Sequence, residues 1–247
     1  MIGVDISNWQ AGLSMDEIKS KGAEFVIIRA TRGDSYADPS APGFYMAARK
    51  AGLPAGVYCY SNAVTKEQAE DEARFLVNTL GGWPCPCGVF MDVETQAQLA
   101  LPNDVLLETV RAWCAVIRAA GYVPGVYSSE MSAWYKIKPE QLGADVLVWV
   151  ARYGRQPEMA CDLWQYTDQE QTSINCTIDV DVVRSERFAA MVRAGYKTEE
   201  PEDHVGEANN MIDGPGAVEL LTAYLKTEEF AENFKNYIER RMKDERT

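Results

Sequence analysis

A shortage of basic residues and of histidine is the first feature of this 247-residue sequence. There are 24 lysines and arginines against 37 aspartates and glutamates, so the formal net charge is −13, and His204 is the one histidine. Nucleic acids and anionic membranes are bound largely by Lys and Arg side chains that neutralise phosphates. We therefore expect no nucleic acid and no membrane as the main partner, and a lone histidine gives little support to a zinc site.

Long apolar runs and an N-terminal leader are also missing. No run approaches the roughly 18 apolar residues that a membrane-spanning helix needs. The opening segment, MIGVDISNWQ, reaches Asp5 without a basic residue and so differs from a secretory signal peptide. The sequence therefore predicts a chain that is made in the cytoplasm without a visible signal peptide, or one whose leader has been removed.

The cysteines do not form the pattern of a disulfide scaffold. Six in a chain of this length are too few for the dense framework of small secreted domains, and several lie in apolar, strand-like runs. The segment CPC at 85–87 lacks the two-residue gap of common zinc knuckles. We interpret the six as buried free thiols and expect no metal and no cofactor. They are Cys59, Cys85, Cys87, Cys114, Cys161 and Cys176.

Strand-like and helix-like segments alternate over roughly the first 190 residues. Five strands are predicted in this part, at 2–6, 24–31, 55–61, 88–94 and 122–129, and helices at 14–22, 42–52, 65–80 and 103–120. Three more strands follow with no room for full helices between them, at 145–153, 161–168 and 176–183. Repeated strand–helix units favour a parallel sheet, and eight strands suit a closed barrel. The sequence predicts the α/β class, as a modified TIM-like (β/α)5(β)3 barrel with a short C-terminal helical appendage.

Composition changes after Gly195 and divides the chain into three parts. Residues 199–213 contain six acidic and no basic residues, which is typical of a linker or an acidic loop. From residue 216 onwards, apolar residues return at helical spacing. We predict a barrel domain over 1–195, an acidic linker over 196–215 and a helical segment over 216–247. That segment packs on the barrel, binds a partner or forms a homo-oligomer.

The segment GVFMDVETQ, residues 88–96, places two carboxylates at the end of a strand. Residues i and i+2 of a strand face the same way, so Asp92 and Glu94 share one face while Met91 and Val93 occupy the other. The apolar pair suits the side of a barrel wall that meets the helices, so both acids should point towards the barrel axis. Active sites of β/α barrels lie at this end of their strands. The spacing therefore predicts a catalytic pair.

Three further aspartates lie in the first and last strands. Asp5 ends strand one, and Asp179 and Asp181 are placed at the end of strand eight. Closure of a barrel makes these strands neighbours, so all the acids should gather at one mouth. Like charges in a poorly solvated site raise at least one pKa and leave a neutral acid beside ionised partners. This suits glycoside cleavage, while a Mg²⁺ or Ca²⁺ site and ordinary strand-end hydrogen bonds are the alternatives.

Aromatic residues lie close to the same strand ends. Their rings would stack against sugars and line a carbohydrate groove, although aromatic residues are equally at home in a barrel core. The candidates for substrate contact are Tyr58, Tyr60, Tyr127, Trp149 and Tyr166. Trp9, Tyr153 and Trp164 are further aromatic residues near these ends.

Eight motifs together resemble the Chalaropsis-type lysozymes, glycoside hydrolase family 25, in order and spacing. They cover roughly residues 2–190 and read GVDISNWQ, FVIIRAT, AGVYCYS, FMDVET, PGVYSS, VWVARYG, WQYTD and IDVDV. The resemblance implies a flattened eight-stranded barrel with N-acetylmuramidase activity. Such an enzyme hydrolyses the β-1,4 bond between N-acetylmuramic acid and N-acetylglucosamine in bacterial peptidoglycan. Peptidoglycan is therefore the partner that the resemblance implies for this protein.

The same resemblance assigns roles to the acids. Glu94 matches the general acid/base, and Asp92 the residue that orients or stabilises the reacting 2-acetamido group of the substrate. Asp5 and Asp179 match the carboxylates of the first and last strands, and Asp181 stands in the substrate site where an Asn is usual. The implied mechanism is retaining, with the acetamido oxygen of the substrate attacking the anomeric carbon. Cys59 replaces a frequent histidine of strand three, which should affect packing more than chemistry.

Two other functions and two biological settings stay open at this stage. A non-catalytic peptidoglycan-binding module could use the same barrel, and a metal-dependent hydrolase could use the same carboxylates. A chain without a visible leader and with a short C-terminal region suits a phage or prophage endolysin that is released to the cell wall. A secreted bacterial enzyme is the alternative.

Overall fold

The computed structural model describes residues 1–174 and 176–195. The predicted acidic linker at 196–215 and the helical segment at 216–247 lie outside the described residues. The three alternatives for that segment, among them a homo-oligomer, therefore stay predictions. The predicted barrel domain, 1–195, falls almost entirely inside them. None of the helices in the described ranges is both long enough and apolar enough to cross a membrane.

The described chain forms a closed barrel of eight strands, which confirms the predicted α/β barrel. The strands are β1 Ile2–Ile6, β2 Phe25–Arg32, β3 Tyr36–Ala37, β4 Ala55–Tyr60, β5 Val89–Asp92, β6 Pro124–Ser129, β7 Leu147–Ala151, β8 Leu163–Gln171 and β9 Thr177–Val183. Around the ring the order is β1, β2, β4, β5, β6, β7, β8 and β9, and β9 pairs again with β1. The short β3, which the sequence did not predict, pairs antiparallel with β2 outside this ring.

Helices follow the early strands and become short later in the chain. They are α1 Met15–Ser20, α2 Ala41–Lys50, α3 Lys66–Leu80, α4 Gln96–Leu99, α5 Asn103–Ala119, α6 Ala133–Lys136 and α7 Glu186–Gly195. Ser14 and Thr65 begin α1 and α3 because their side chains accept N–H groups of the first turn. Only the four-residue α6 and a 3-10 turn separate β6 from β7, and residues 152–162 between β7 and β8 contain no helix.

The direction of the last strand corrects one detail of the sequence analysis. Seven strands of the ring run parallel, but β9 is antiparallel to both of its neighbours, β1 and β8. The first half of β9 therefore lies at the end of the barrel where the parallel strands finish. Asp179 lies near this mouth, and Asp181, two residues later, lies deeper in the barrel instead of at an exposed strand end.

Three apolar clusters hold the barrel together. One packs β4–β7 against α3 and α5, and another packs β1, β2 and β4 against α1 and α2. The third fills the interior, where Phe25 and Phe90 approach Gly3 and Gly125. A Cβ at Gly3 would lie 2.2 Å from the Phe25 ring, and one at Gly125 would lie 2.3 Å from the Phe90 ring. These glycines therefore make room for the rings that fill the barrel below the mouth.

Candidate active site

The carboxyl ends of the parallel strands surround a pocket of about 490 Å³. Eighteen of the described residues line it, and Arg29 is the one basic residue among them. The lining carboxylates are Asp5, Asp92, Glu94, Asp168 and Asp179. The structure thus brings the four residues predicted as catalytic into one site, and adds Asp168.

Asp92, the last residue of β5, is almost completely buried, with 5% of its surface exposed. Its neighbours Met91 and Val93 pack in the cluster between the sheet and the helices, so Asp92 faces the barrel axis. Among the described residues its Oδ1 atom has no hydrogen-bond partner. An unpaired buried polar atom of this kind costs roughly 1–3 kcal/mol, and a donor on a bound ligand would remove that cost.

The surroundings of Asp92 strongly favour its protonated form. Burial raises the pKa of Asp92 well above its ordinary value of 3.8, and the charge of Glu94 raises it further. Arg29 acts in the opposite direction. The guanidinium of Arg29 is held 2.9 Å from the carboxylate of Asp38 and also contacts Asn8. The one cation of the pocket therefore has a fixed place beside the buried acid.

Glu94 lies two residues beyond the end of β5, and its side chain is exposed at the pocket rim. The surrounding protein partly desolvates the carboxyl and raises the pKa of Glu94 above its ordinary value of 4.5. A carboxyl group with a raised pKa can remain protonated closer to neutral pH and donate its proton to a leaving group. Solvent access lets the same group take a proton from water in a second step.

Gln165 of β8 connects the acids of the first and last strands. Its Nε2 atom donates to Asp5 Oδ2 at 2.8 Å and to Asp179 Oδ2 at 3.3 Å. Its Oε1 atom accepts the hydroxyl groups of Tyr127 at 2.8 Å and Tyr153 at 2.9 Å. Asp5 and Asp179 are direct partners in the register of β1 and β9. One buried amide therefore fixes two carboxylates and two phenols.

The pKa values of all three aspartates of β1 and β9 are raised. Burial, followed by the charges of Asp179 and Asp181, raises the pKa of Asp5 well above 3.8. Burial raises the pKa of Asp179 to about 6 and that of Asp181 to about 8. Like charges that share a poorly solvated site favour retention of a proton. Near neutral pH this group therefore holds at least one proton.

Asp181 lies beneath the pocket and is absent from its lining. Its side chain has no exposed surface, and Trp149 Nε1 donates to Asp181 Oδ1 at 2.7 Å. In the register of β1 and β9 it opposes Gly3, one inward position below the Asp5 and Asp179 pair. The residue predicted to contact substrate therefore lies beneath the acids that do line the pocket.

Four of the five aromatic residues predicted to contact substrate line the pocket. Tyr58, Tyr60, Tyr127 and Trp149 belong to the lining, with Trp149 packed edge-on against Tyr127 at 4.5 Å between ring centroids. Tyr166 does not, because it follows the inward-facing Gln165 and packs against the outer cluster near α1 and α2. Cys59, between Tyr58 and Tyr60, is buried on the helix side, as the alternation of β4 predicts.

Several residues of the pocket were not identified from the sequence. Gln165 and Arg29 lie within quoted motifs, but an isolated Gln or Arg in a strand gives no sign that it faces four or five acids. Both occupy inward positions of strands that border the predicted acids, which is the signal that could have indicated them. Within the described residues, no group of three or more His, Cys, Asp or Glu side chains could hold a metal ion.

A β/α barrel that carries acids and aromatic side chains around its mouth is typical of glycoside hydrolases. The chain belongs to Glycosyl hydrolases family 25, because the model of that family matches residues 4–174. It is 30% identical over 185 residues to the autolytic lysozyme of Clostridium acetobutylicum, and the aligned part covers 73% of this chain and 55% of that protein. The chain thus spans about half the length of this relative.

Solved structures show the same barrel. The catalytic domain of an endolysin from a bacteriophage of Listeria monocytogenes is 27% identical, with a TM-score of 0.65 over 78% of this chain and 97% of that one. A bacterial lysozyme from Streptomyces coelicolor has the same TM-score, 0.65, over 81% of this chain and 98% of its own, with 20% identity. The second similarity supports the fold alone.

Proposed function

We propose that this protein is a lysozyme that hydrolyses the β-1,4 bond between N-acetylmuramic acid and N-acetylglucosamine in bacterial peptidoglycan. One observation carries the proposal: an exposed carboxyl, Glu94, and a buried one with an unpaired oxygen, Asp92, stand two residues apart at the mouth of a family 25 barrel. The Clostridium relative is an autolytic lysozyme, and the Listeria phage relative is an endolysin. The same proposal places the action of the protein at the bacterial cell wall.

The first half of the proposed reaction uses Glu94 as the acid. Because its pKa is raised, a larger fraction of the carboxyl is protonated and can give its proton to the glycosidic oxygen as the bond to the anomeric carbon breaks. The 2-acetamido oxygen of the substrate attacks the anomeric carbon from the other side and forms a cyclic intermediate. Asp92 Oδ1, which lacks a partner, accepts the acetamido N–H and so orients the acetamido oxygen for its attack.

The second half regenerates the enzyme. Glu94, now ionised and open to solvent, takes a proton from water, and the resulting hydroxide attacks the anomeric carbon and opens the ring. Two displacements at one carbon give retention of configuration. We assign Asp5 and Asp179, held by Gln165, to the pocket wall that orients the sugar, and Tyr58, Tyr60 and Tyr127 to ring contacts.

Fragments released from purified peptidoglycan test the proposed bond specificity. Mass spectrometry after borohydride reduction should find reduced muramic acid at the new ends. Reduced glucosamine or freed peptides would contradict the proposal, and so would the absence of any product, which is the expectation for a wall-binding module. Proton NMR at early times should show the β-anomer first if configuration is retained.

The Glu94→Gln variant tests the proposed acid directly. We expect it to fold like the native protein, because the side chain is exposed, and to lose at least about a thousandfold in wall-clearing rate. A turbidity assay gives the rate, and far-UV circular dichroism gives the fold. Glu108→Gln, an exposed carboxyl on α5, is the matched control and should retain full activity. Native clearing by Glu94→Gln would show that another group supplies the proton.

A further inference from the structure

Behind the pocket, a chain of polar side chains runs from α3 to the loop that follows β5. Its members, here called the polar network, are Glu72, Ser61, Gln98 and Thr95, and none of them lines the pocket. Glu72, Ser61 and Gln98 are buried. Buried polar groups are costly unless all their hydrogen bonds are made, so a network of this size requires an explanation.

The first link closes the loop immediately after Glu94. Gln98 Oε1 accepts the backbone N–H of Thr95 at 3.1 Å and its hydroxyl at 2.9 Å. Together with the bond from the Gln98 N–H to the Thr95 hydroxyl, this forms a capping box at the start of α4. Gln98 Nε2 then donates to Ser61 Oγ at 3.0 Å, which ties α4 to the end of β4.

The second link holds the end of β4 against β5 and α3. Ser61 Oγ donates to Glu72 Oε2 at 2.6 Å, and the Asn62 N–H donates to Glu72 Oε1 at 2.9 Å. The backbone N–H of Ser61 donates to the carbonyl of Asp92 at 3.1 Å. The backbone bond from Ser61 therefore holds the chain two residues before Glu94, and the polar network holds it immediately after Glu94. Val93, between Asp92 and Glu94, is bound to β6 through the Tyr127 carbonyl and the Ser128 hydroxyl.

Glu94 depends on this support because its own side chain has none. Within the described residues the Glu94 carboxyl makes no hydrogen bond, and it is exposed, so its location follows from its backbone. A displacement of about 1 Å in a catalytic group can cost on the order of a hundredfold in rate. We propose that the polar network is a positioning device, and that Ser61 and Gln98 act on the reaction by holding the backbone of Glu94. This proposal depends on the function proposed above for Glu94.

A matched pair of serine variants tests the positioning role. Ser185, at the start of α7, repeats the chemistry of Ser61: its hydroxyl donates to Asp162 at 2.5 Å and accepts the Phe188 N–H at 3.2 Å. It does not line the pocket. Ser61→Ala should lower kcat about tenfold, with KM changed less than about twofold, because binding groups stay in place while the acid shifts. Ser185→Ala should also lower the melting temperature, but its kcat should stay within about twofold of the native value.

Gln98→Leu provides a second, independent break in the polar network. It should reproduce the loss of kcat and move the limb of the pH–rate profile that reports Glu94, because the distance of Glu94 from Asp92 changes. Equal kcat for Ser61→Ala and Ser185→Ala at equal loss of melting temperature would overturn the positioning role. So would unchanged kcat and pH profile in folded Gln98→Leu. A native enzyme that releases no reduced muramic acid would instead contradict the proposed function itself.

Discussion

Among the single residues of the pocket, Gln165 stands out because it is neutral in a cluster of acids. An amide supplies two donors and an acceptor together, so Gln165 can bind Asp5 and Asp179 on one side and the phenols of Tyr127 and Tyr153 on the other. A carboxylate at this position would have no donor for the aspartates, and an ammonium group would have no acceptor for the phenols. The arrangement of the pocket wall therefore depends on this side chain.

Replacement of Gln165 should expose both of its functions. We expect Gln165→Leu to lower the free energy of unfolding by roughly 2–4 kcal/mol, because buried partners on both sides lose their hydrogen bonds. Gln165→Glu keeps the acceptor but adds a charge, so its loss of stability should be larger at pH 8 than at pH 5. Urea denaturation at both pH values measures this. Gln171→Leu, exposed on the same strand, is the control and should stay within about 0.5 kcal/mol of the native protein.

A site residue can be identified from the sequence when its neighbours in the chain indicate which way its side chain points. Asp92 and Glu94 were found because the apolar Met91 and Val93 indicate which side of the strand faces the helices. Gln165 and Arg29 carry no such mark, because the acids they face belong to other strands: Gln165 bonds Asp5 of β1 and Asp179 of β9, and Arg29 lies beside Asp92 of β5. In WQYTD the sequence favours the aromatic Tyr166 as the substrate contact, yet the inward position belongs to Gln165.

At the scale of elements, the sequence correctly predicts which face of a strand a side chain occupies, but it does not predict the direction of β9. Alternation correctly placed Cys59 opposite Tyr58 and Tyr60 because it follows from local backbone geometry. Direction depends on the connection: β8 and β9 form a hairpin, and reversal of β9 moves Asp181 away from the mouth. The five positions between β8 and β9 are few enough for a hairpin.

The short turn after β1 carries the most exposed aromatic side chain of the pocket. Trp9 is 79% exposed, yet its turn is held by several bonds. Gln10 Nε2 donates to the carbonyl of Thr177 at 2.9 Å, and the Asn8 N–H donates to Asp38 Oδ2 at 3.0 Å. A rigid backbone that presents an exposed indole at the rim is suited to stacking on a sugar ring, since little ordering is needed on binding.

Removal of the indole should weaken binding without slowing the chemical step. We expect Trp9→Ala to raise KM for long glycan strands about fivefold, equivalent to roughly 1 kcal/mol, with kcat nearly unchanged. Steady-state kinetics on solubilised, uncrosslinked glycan chains of defined length measures both constants. Tyr135→Ala is the matched control, because Tyr135 is 71% exposed but does not line the pocket. A similar KM for both variants would remove Trp9 from the substrate site.

At the scale of the whole molecule, the buried acids link stability to pH. The folded protein keeps a proton on Asp181 up to a pKa of about 8, whereas the unfolded chain releases it near 3.8. Between these values the folded state binds more protons, so the free energy of unfolding falls as pH rises. Asp179, with a pKa of about 6, acts in the same direction over a narrower range. We therefore expect the protein to be more stable at pH 5 than at pH 8.

Asp181→Asn separates this effect from the general repulsion of a chain with a net charge of −13. The variant keeps an acceptor for Trp149 but cannot ionise, so it should match the native protein near pH 5 and exceed its stability at pH 8. Each pH unit in the linked range corresponds to at most about 1.4 kcal/mol. Urea denaturation at unit steps from pH 5 to pH 8 gives the slopes. Asp145→Asn is the control. Arg118 lowers the pKa of this surface acid, so the Asp145 carboxyl is ionised from pH 5 to pH 8 in both the folded and the unfolded chain. Replacement of Asp145 should therefore leave the slope unchanged. Parallel slopes for the native protein and Asp181→Asn would show that the buried aspartate is already ionised when folded.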